Sequence, residues 1–417
     1  MATPTWLVQI KLADSSSTTY RDVTDDVRAM VVDVGRTRVL DTFVAGSCRL
    51  SLNNQDNKYG PLTGGTYSDA QWINAEIRIL VTLNSASQPT PLFRGFVDDI
   101  DVSYPNSKDS IITVKGSDGL SKIARTELVD NLNGSAGNAA FAEEVGSTRF
   151  TNVLNNAQVA YPNGTDPLDR EVDTSVIVMA ADTIAQISTN TYLSKLAQSE
   201  DGAVFCRHGV PGGAAATAQN RGNVLTYKKR YAPSTATGLT FGAASATSTL
   251  PPMTGLGTSY GAELLYTRGV YSGSTGNDQE YEENVLGTPA FGIRTIVRRN
   301  LLNLNDADVK EAATNFVALH STPVLRVTNM TCQPLAMTDA QAEKVAKISI
   351  FDGFSVRFRP AGASVDMLEV VRCEGVRHDI TPGRWEMKLS TSGSGASQFF
   401  ILDSEIDGIL DNNKLAP

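Results

Sequence analysis

The sequence has one concentrated group of carboxylates, Asp98, Asp99 and Asp101, in the segment FVDDIDV. Two carboxylates that face one sugar ring can serve as acid and base, or as nucleophile, in a glycosidase. Because side chains alternate between the two faces of a strand, we predict Asp99 and Asp101 on one face and Asp98 on the other. No aromatic sugar platform can be identified beside them. A tail-associated cell-wall hydrolase therefore stays an alternative and is not the first hypothesis.

A second polar cluster lies in SLNNQDNKYGPL, residues 51–62. A calcium loop of the EF-hand type needs glycine at its sixth position and glutamate at its twelfth. Counted from Asn53, those positions hold Lys58 and Gly64. Asn and Asp clusters between apolar runs usually bond their own backbone. We therefore predict a strand that ends in an Asx-rich turn.

The remaining reactive residues form no known catalytic pattern. The histidines, His208, His320 and His378, lie outside any HExxH or triad-like arrangement. We predict that His320 packs in the core or acts as a helix C-terminal cation, and that His378 occupies an exposed strand position. The loop VPGGAAATAQNRG lacks phosphate-loop spacing and is predicted to be a hairpin tip. We expect no enzyme activity, metal, cofactor or small-molecule substrate.

Charge and composition limit the class of protein. The chain has 417 residues, with 45 acidic against 36 basic residues and a net charge of −9, which argues against a DNA-coating protein. No segment resembles a membrane span or an export signal, so we expect no stable membrane insertion. The four cysteines are too dispersed for a CxxC pair, and we predict reduced, mostly buried thiols.

The first 125 residues predict β structure. WLVQIKLA alternates apolar and polar residues, as a half-buried strand requires. Further strands are predicted at 49–52, 76–83, 92–104 and 110–115. Residues 126–180 are turn-rich. A helix is predicted from residue 181 to about 198, then a hairpin of AVFCRHG with NVLTYKKRY.

The residue pattern in the second half of the sequence predicts further strands and two helices. Residues 241–262 are small and interrupted by Pro and Gly, which favours a linker or long loop. A helix at 306–320 is predicted to be capped by Asn305 and to bury Val309, Ala313, Phe316 and Leu319. A second, 338–346, begins with the capping box of Thr338 and Gln341. The last strands are FSVRFRP, MLEVVRCEGVRHDI and RWEMKLSTS.

Two segments resemble each other. Arg78 precedes Gly95 by 17 positions and Arg357 precedes Gly375 by 18, and each glycine opens a G-[FV]-x-x-D-I motif. The match predicts two copies of one β unit.

Several motifs resemble minor tail proteins of siphophages that form the tail hub and are similar in fold to the baseplate hub of contractile phages. The resemblance covers mainly residues 5–125 and 180–400. The shared positions near its start are Asp22-Val23-Thr24, Gly35-Arg36, Leu50-Ser51-Leu52, Asn54, Asp56, Tyr59 and Pro61. The resemblance implies a mainly β fold with an α+β insert and two tail-tube-like β-barrels per chain. The expected domains are a first barrel at 1–125, a mixed α/β region at 126–240, a second barrel at 241–400 and a C-terminal tail at 401–417.

The resemblance also implies a role. Such a chain would be a homotrimer at the distal tip of a phage tail, assembled in the host cytoplasm. It would join the tube to a fibre or spike, with the distal tail or tube protein and the tape measure protein as neighbours. DNA would pass through without specific binding, along a bore we predict to be net negative, with Asp98, Asp99 and Asp101 as candidate wall residues. A carbohydrate-binding adhesin is the other alternative.

Overall fold

The first 125 residues contain seven strands, with 3-10 turns at Thr24–Asp26 and Gln55–Asn57. The computed structural model describes residues 3–13, 18–60, 66–67, 70–83, 88–106, 109–130, 139–164, 168–208, 223–229, 235–243, 249–273, 279–283, 287–360, 362, 364, 366–393, 399–400 and 414–415. The strands are β1 (Thr5–Ala13), β2 (Thr18–Asp22), β3 (Val27–Gly35), β4 (Val44–Asn53), β5 (Gln71–Thr82), β6 (Thr90–Asn106) and β7 (Asp109–Ser117). They confirm the predicted strands, because apolar residues alternate along them and point into one core.

The middle region is a mixed α/β unit with its own hydrophobic core. Its elements are α1 (Leu120–Ala124), β8 (Glu127–Val129), β9 (Ala140–Phe141), β10 (Glu144–Val145), α2 (Gly146–Asn155), β11 (Leu168–Val172), β12 (Val178–Met179), β13 (Asp182–Thr183), β14 (Gln186–Ser188), α3 (Thr189–Ser199), β15 (Ala203–Arg207) and β16 (Asn223–Lys228). The predicted hairpin of β15 and β16 is confirmed. Its Gly-rich tip lies outside the described residues.

Two predictions for the middle region were wrong. The helix expected from residue 181 begins only at Thr189, because residues 182–183 and 186–188 pair instead with β9 and β8. The turn-rich segment contains α2, whose buried face includes Phe150, Val153 and Leu154. Local sequence patterns did not predict the late start of α3 or the presence of α2, since both depend on partners distant in sequence.

The second half supplies seven strands to the same sheet as the first. The elements outside the insertion are β17 (Thr235–Ala243), β18 (Pro252–Met253), β19 (Gly255–Ser259), β23 (Arg326–Cys332), α6 (Asp339–Ala346), β24 (Asp352–Phe358), β25 (Met367–Thr381) and β26 (Arg384–Gly393). The linker predicted at 241–262 was wrong, because β17, β18 and β19 lie there and pair with other strands. The predicted boundary at 240/241 falls inside β17.

Residues 268–320 form a small insertion with a third core. It contains β20 (Arg268–Gly273), β21 (Gln279–Glu283), α4 (Gly287–Phe291), β22 (Thr295–Leu301) and α5 (Asp306–His320). The bounds predicted for α5 are confirmed. Asn305 is at its N-cap position but makes no side-chain cap bond, and Leu319 is only half-buried. By contrast, the capping box of Thr338 and Gln341 ahead of α6 is present.

One fourteen-stranded sheet joins the two halves. Its main path runs β18-β17-β24-β25-β3-β4-β7-β6-β5-β1-β2, and β26, β23 and β19 extend it from β25. The two halves meet where β3 pairs with β25, with Gly35 opposite Gly375. A shared core lies beneath strands of both halves. The mainly β fold class with an α+β insert is confirmed, and in the described ranges no helix is long and apolar enough to cross a bilayer.

Each half contains an antiparallel meander, β5-β6-β7 in the first and β24-β25-β26 in the second. The two motif glycines do not occupy equivalent places in it. Gly95 still pairs with β5, opposite Ile77, whereas Gly375 lies beyond the last residue that pairs with β24, Arg372. The sequence match therefore does not align the two meanders, and a duplication rests on strand order alone.

A short pair, β27 (Phe399–Phe400) with β28 (Lys414–Leu415), follows β26 as a separate parallel ribbon. The residues between these two strands lie outside the described ranges.

Candidate functional site

The acidic group of β6 lies at the surface near one end of the large sheet. Lys115 of β7 contacts Asp99 at 3.1 Å and Asp101 at 2.5 Å, while Arg125 contacts Asp98. Asp99 and Asp101 thus share a face, as predicted. The register with β7 shifts between Val97 and Asp99, so Asp98 lies at a β-bulge and its predicted place on the other face stays a prediction. Hydrogen bonds to Asp101 and then Asp99 raise the pKa of Lys115. This geometry gives an ion-paired surface rather than two carboxylates that converge on one ligand.

Asp99 is the first residue of a row that crosses six strands from both halves. Directly opposed residues on neighbouring antiparallel strands point to the same face. The first row contains Asp99, Lys115, Arg49, Val31, Asp379 and Glu386. The adjacent row contains Ser117, Ser47, Asp33, Arg377, Lys388 and Thr331. We call these two rows the outer face, and it faces away from the shared core.

The outer face mixes carboxylates and cations. Its two rows contain four carboxylates and four cations, as the residues named above show. One ion pair crosses the junction between the halves, with Arg377 at 3.2 Å from Asp33, and within β25 Arg377 lies 3.0 Å from Asp379. Lys388 lies 3.0 Å from Glu386. The face is thus flat, polar and close to neutral, although the whole chain is acidic.

A buried ionic cluster connects the two halves beside this face. Arg36, at the end of β3, contacts Glu374 of β25 at 2.8 Å, and Arg372 contacts the same carboxylate at 2.9 Å. Ser392 donates a hydrogen bond of 2.5 Å to it. Burial alone would raise the pKa of Glu374, but Arg372, Arg36 and Ser392 outweigh burial and hold that pKa below its usual value. The cluster stabilises a charged carboxylate inside the junction.

Each of the three histidines packs against, or hydrogen-bonds to, neighbouring parts of the fold. The exposed position predicted for His378 was wrong: it is 3 % exposed, and its Nδ1 accepts a hydrogen bond from Trp385 at 3.2 Å. Burial lowers its pKa to about 4. His320 stacks on Phe316 with ring centroids 4.1 Å apart, which confirms core packing. His208 is buried near Asp118, with Nε2 at 3.4 Å from Oδ2.

The Asn-rich segment is the predicted turn. β4 ends at Asn53, and a 3-10 turn spans Gln55–Asn57. Asn54 is fully buried; its amide donates to Ser110 at 2.9 Å and its carbonyl accepts from the Tyr59 backbone at 2.7 Å. All four cysteines are buried free thiols. Among the described residues, no group of three or more His, Cys, Asp or Glu could hold a metal.

The described residues also form a groove of about 1530 Å³ that sequence reasoning missed. Its walls come from the β3–β4 loop, the end of α3, β22, α5, β23, and the ends of β25 and β26. Exposed apolar residues on it include Leu40, Tyr260 and Val297. Such a site has no local signature, because its residues come from segments hundreds of positions apart.

Comparisons of structure bear out the resemblance at the level of fold. The chain is similar to a tail protein from Neisseria meningitidis MC58, with a TM-score of 0.58, 8% identity, and coverage of 94% of this chain and 97% of that one. It is also similar to the 43 kDa tail protein of prophage MuSo2 from Shewanella oneidensis, with a TM-score of 0.56, 9% identity, and coverage of 94% and 99%. No protein-family model and no curated protein sequence matches the chain.

Proposed function

We propose that this chain is a structural virion protein that forms the hub at the distal tip of a phage tail. The observation that carries the proposal is the agreement of fold with two tail proteins over nearly the full length of each chain. The role is carried over by analogy of fold, and that analogy extends over the whole chain and not over one domain. In this role the hub closes or extends the tube, holds the tip fibre or spike, and touches the distal tail and tape measure proteins.

The proposed assembly is a homotrimer whose two tube-like units per chain supply six positions in a ring. A ring with three chains matches a six-fold tube above and a three-fold fibre or spike below. The sheet that continues from β3 to β25 supports this arrangement, because it makes the two units of one chain a single rigid wall. The domain limits of these units remain part of the proposal.

We further propose that the outer face forms the wall of the DNA channel. A wall rich in unpaired Lys and Arg would hold DNA by counterion release, whereas a balanced wall lets DNA slide. The ion-paired, nearly neutral outer face suits sliding. At its β6 end, three carboxylates against Lys115 and Arg125 leave one excess negative charge, so Asp98, Asp99 and Asp101 stay the candidate acidic wall residues.

Two measurements test the assembly. Native mass spectrometry of the purified chain should give a trimer, and electron microscopy of tails labelled on this chain should place it at the tip with three-fold symmetry. A monomer within the assembled particle would refute the hub. Binding of the isolated chain to host cells would support the adhesin instead, and clearing of a cell-wall substrate would support the hydrolase.

The channel is tested separately in particles. Asp99→Lys with Asp101→Lys should slow DNA ejection, with a stronger effect at low salt because screening weakens the attraction. Asp366→Lys is the matched control, since Asp366 is an exposed carboxylate paired with Arg359 outside the outer face. Equal ejection rates for both variants would remove the outer face from the channel.

A further inference from the structure

The insertion sheet has an open edge inside the groove. Its strand order is β21-β20-β22, so β22 pairs on one side only. Beyond Leu301 the chain bonds Val178 and Ala180 through its backbone, but among the described residues the backbone of 295–299 bonds only β20. Ile296, Val297 and Arg298 of this strand line the groove. Exposed N–H and C=O groups on such an edge can accept an added strand.

The edge is apolar and basic. Ile293 is 57% exposed and Val297 is 49% exposed, on the side of the strand that does not pack on α5. Arg294 and Arg299 are exposed, and Arg326 is half-buried on the groove wall. None of these three arginines contacts a carboxylate in the described part of the chain. Desolvation lowers the pKa of Arg326, which marks a partly buried cation without compensation.

The C-terminal segment has the complementary chemistry. Residues 399–402 are FFIL, and the following residues include Asp403, Glu405, Asp407 and Asp411 against Lys414 alone. An apolar strand former next to an excess of carboxylates fits an apolar edge flanked by arginines.

The segment also starts in the right place. β26 ends at Gly393, which lines the same groove. Five residues lie between Gly393 and Phe399, a reach of about 20 Å when extended. The described ribbon of β27 and β28 pairs with no other sheet, and an isolated two-stranded ribbon is marginally stable in water. Docking against another surface would therefore stabilise it.

We propose that the C-terminal segment of the same chain docks in the groove, where β27 adds to the open edge of β22. The ribbon would then continue the insertion sheet, and its carboxylates would lie near Arg294, Arg299 and Arg326. Docking covers an edge that could otherwise pair with another chain. This inference is independent of the proposed function.

Hydrogen exchange on the purified full-length chain tests the proposal. Backbone amides of residues 295–299 should exchange at least tenfold more slowly in the full chain than in a chain truncated after Ser394. A synthetic peptide of residues 397–417 should restore the protection to the truncated chain. Equal exchange in the two chains would overturn the proposal, and so would protection that increases with protein concentration, which would indicate the segment of a neighbouring copy.

Charge variants sharpen the test. Arg299→Glu should weaken peptide binding at least fivefold, and a peptide with Asp403→Lys and Glu405→Lys should regain affinity for that variant. Lys388→Glu is the matched control, because Lys388 is an exposed cation on the outer face. Equal losses in Arg299→Glu and Lys388→Glu would contradict docking on β22.

Discussion

The two meanders bury charge in different ways. In the first, Arg94 of β6 pairs with Glu76 of β5 at 2.5 Å, so both members belong to the meander itself. In the second, Glu374 of β25 uses Arg36, which comes from the other half of the chain. Each buried charge directly precedes a motif glycine, Gly95 or Gly375. The ion pair of the first meander therefore lies within one half of the chain, whereas that of the second crosses the junction between the halves.

The largest expected effect breaks the junction. Glu374→Gln should lower the free energy of unfolding by about 3–5 kcal/mol, because it leaves Arg36 and Arg372 partly buried without their carboxylate. Chemical denaturation measures this loss, and hydrogen exchange should show that amides of both β3 and β25 open early. Glu76→Gln is the matched variant and should open β5 and β6 without β25. If Glu374→Gln affects β25 but not β3, the junction does not depend on this cluster.

Acid should destabilise the second meander and not the first. His378 has a folded pKa of about 4 against an ordinary value of 6.5, so the folded state binds fewer protons in that interval than the unfolded state. The stability that neutral His378 contributes is fully present above pH 6.5 and is lost as the pH falls to 4, which lowers the free energy of unfolding by about 3 kcal/mol. Equilibrium unfolding at several pH values measures the slope.

His378→Asn is the control for that titration, because its side-chain carbonyl can still accept the bond from Trp385. The variant should lose the dependence between pH 6.5 and 4. A slope that persists in the variant would assign the acid sensitivity to other groups. Glu374, whose pKa is lowered, contributes in the same direction but below its ordinary value of 4.5.

Replacing either motif glycine with alanine should destabilise the protein less than breaking the junction does, and at a different place for each glycine. A Cβ at Gly375 would lie 2.7 Å from the backbone O of Arg36 and 3.1 Å from that of Val34, so Gly375→Ala forces the halves apart. A Cβ at Gly95 would meet Ser117 O at 2.4 Å within its own meander. Each variant should lower the free energy of unfolding by about 1–3 kcal/mol. Amide hydrogen exchange should increase in β3 for Gly375→Ala and in β7 for Gly95→Ala. The same exchange pattern in both variants would contradict the difference between the two meanders.

The smallest effect concerns the surface pairs of the first meander. Asp101→Asn should lower the pKa of Lys115 toward its ordinary value, since the bond to Asp101 is the largest cause of its increase. The thermal midpoint should stay unchanged, because exposed ion pairs add little stability. An NMR titration of the lysine side chain measures the pKa. No change in that pKa would show that the pair does not persist in solution.

Several features were predictable because their causes are local. The alternation in β1, β6 and β7 predicted strands, and the spacing of α5 predicted both of its ends. The Thr338–Gln341 capping box and the Asn54 turn depend on residues only three to five positions apart. The shared face of Asp99 and Asp101 also followed from strand geometry. The tail-hub motifs correctly indicated the fold, because they lie in turns and strand ends that the fold requires.

The sequence by itself determined which segments form strands, which form helices and where turns interrupt them, because hydrophobic periodicity and helix capping act over a few residues. Tertiary structure alone decided that β17, β18 and β19 join the sheet and that His378 is buried. It also decided that Glu374 binds Arg36 and that β22 keeps an open edge in a groove. Each depends on partners up to 338 positions apart. The residue type at one position does not identify a partner so distant in sequence. Burial and charge compensation are therefore decided only when the folded sheet brings the partners together.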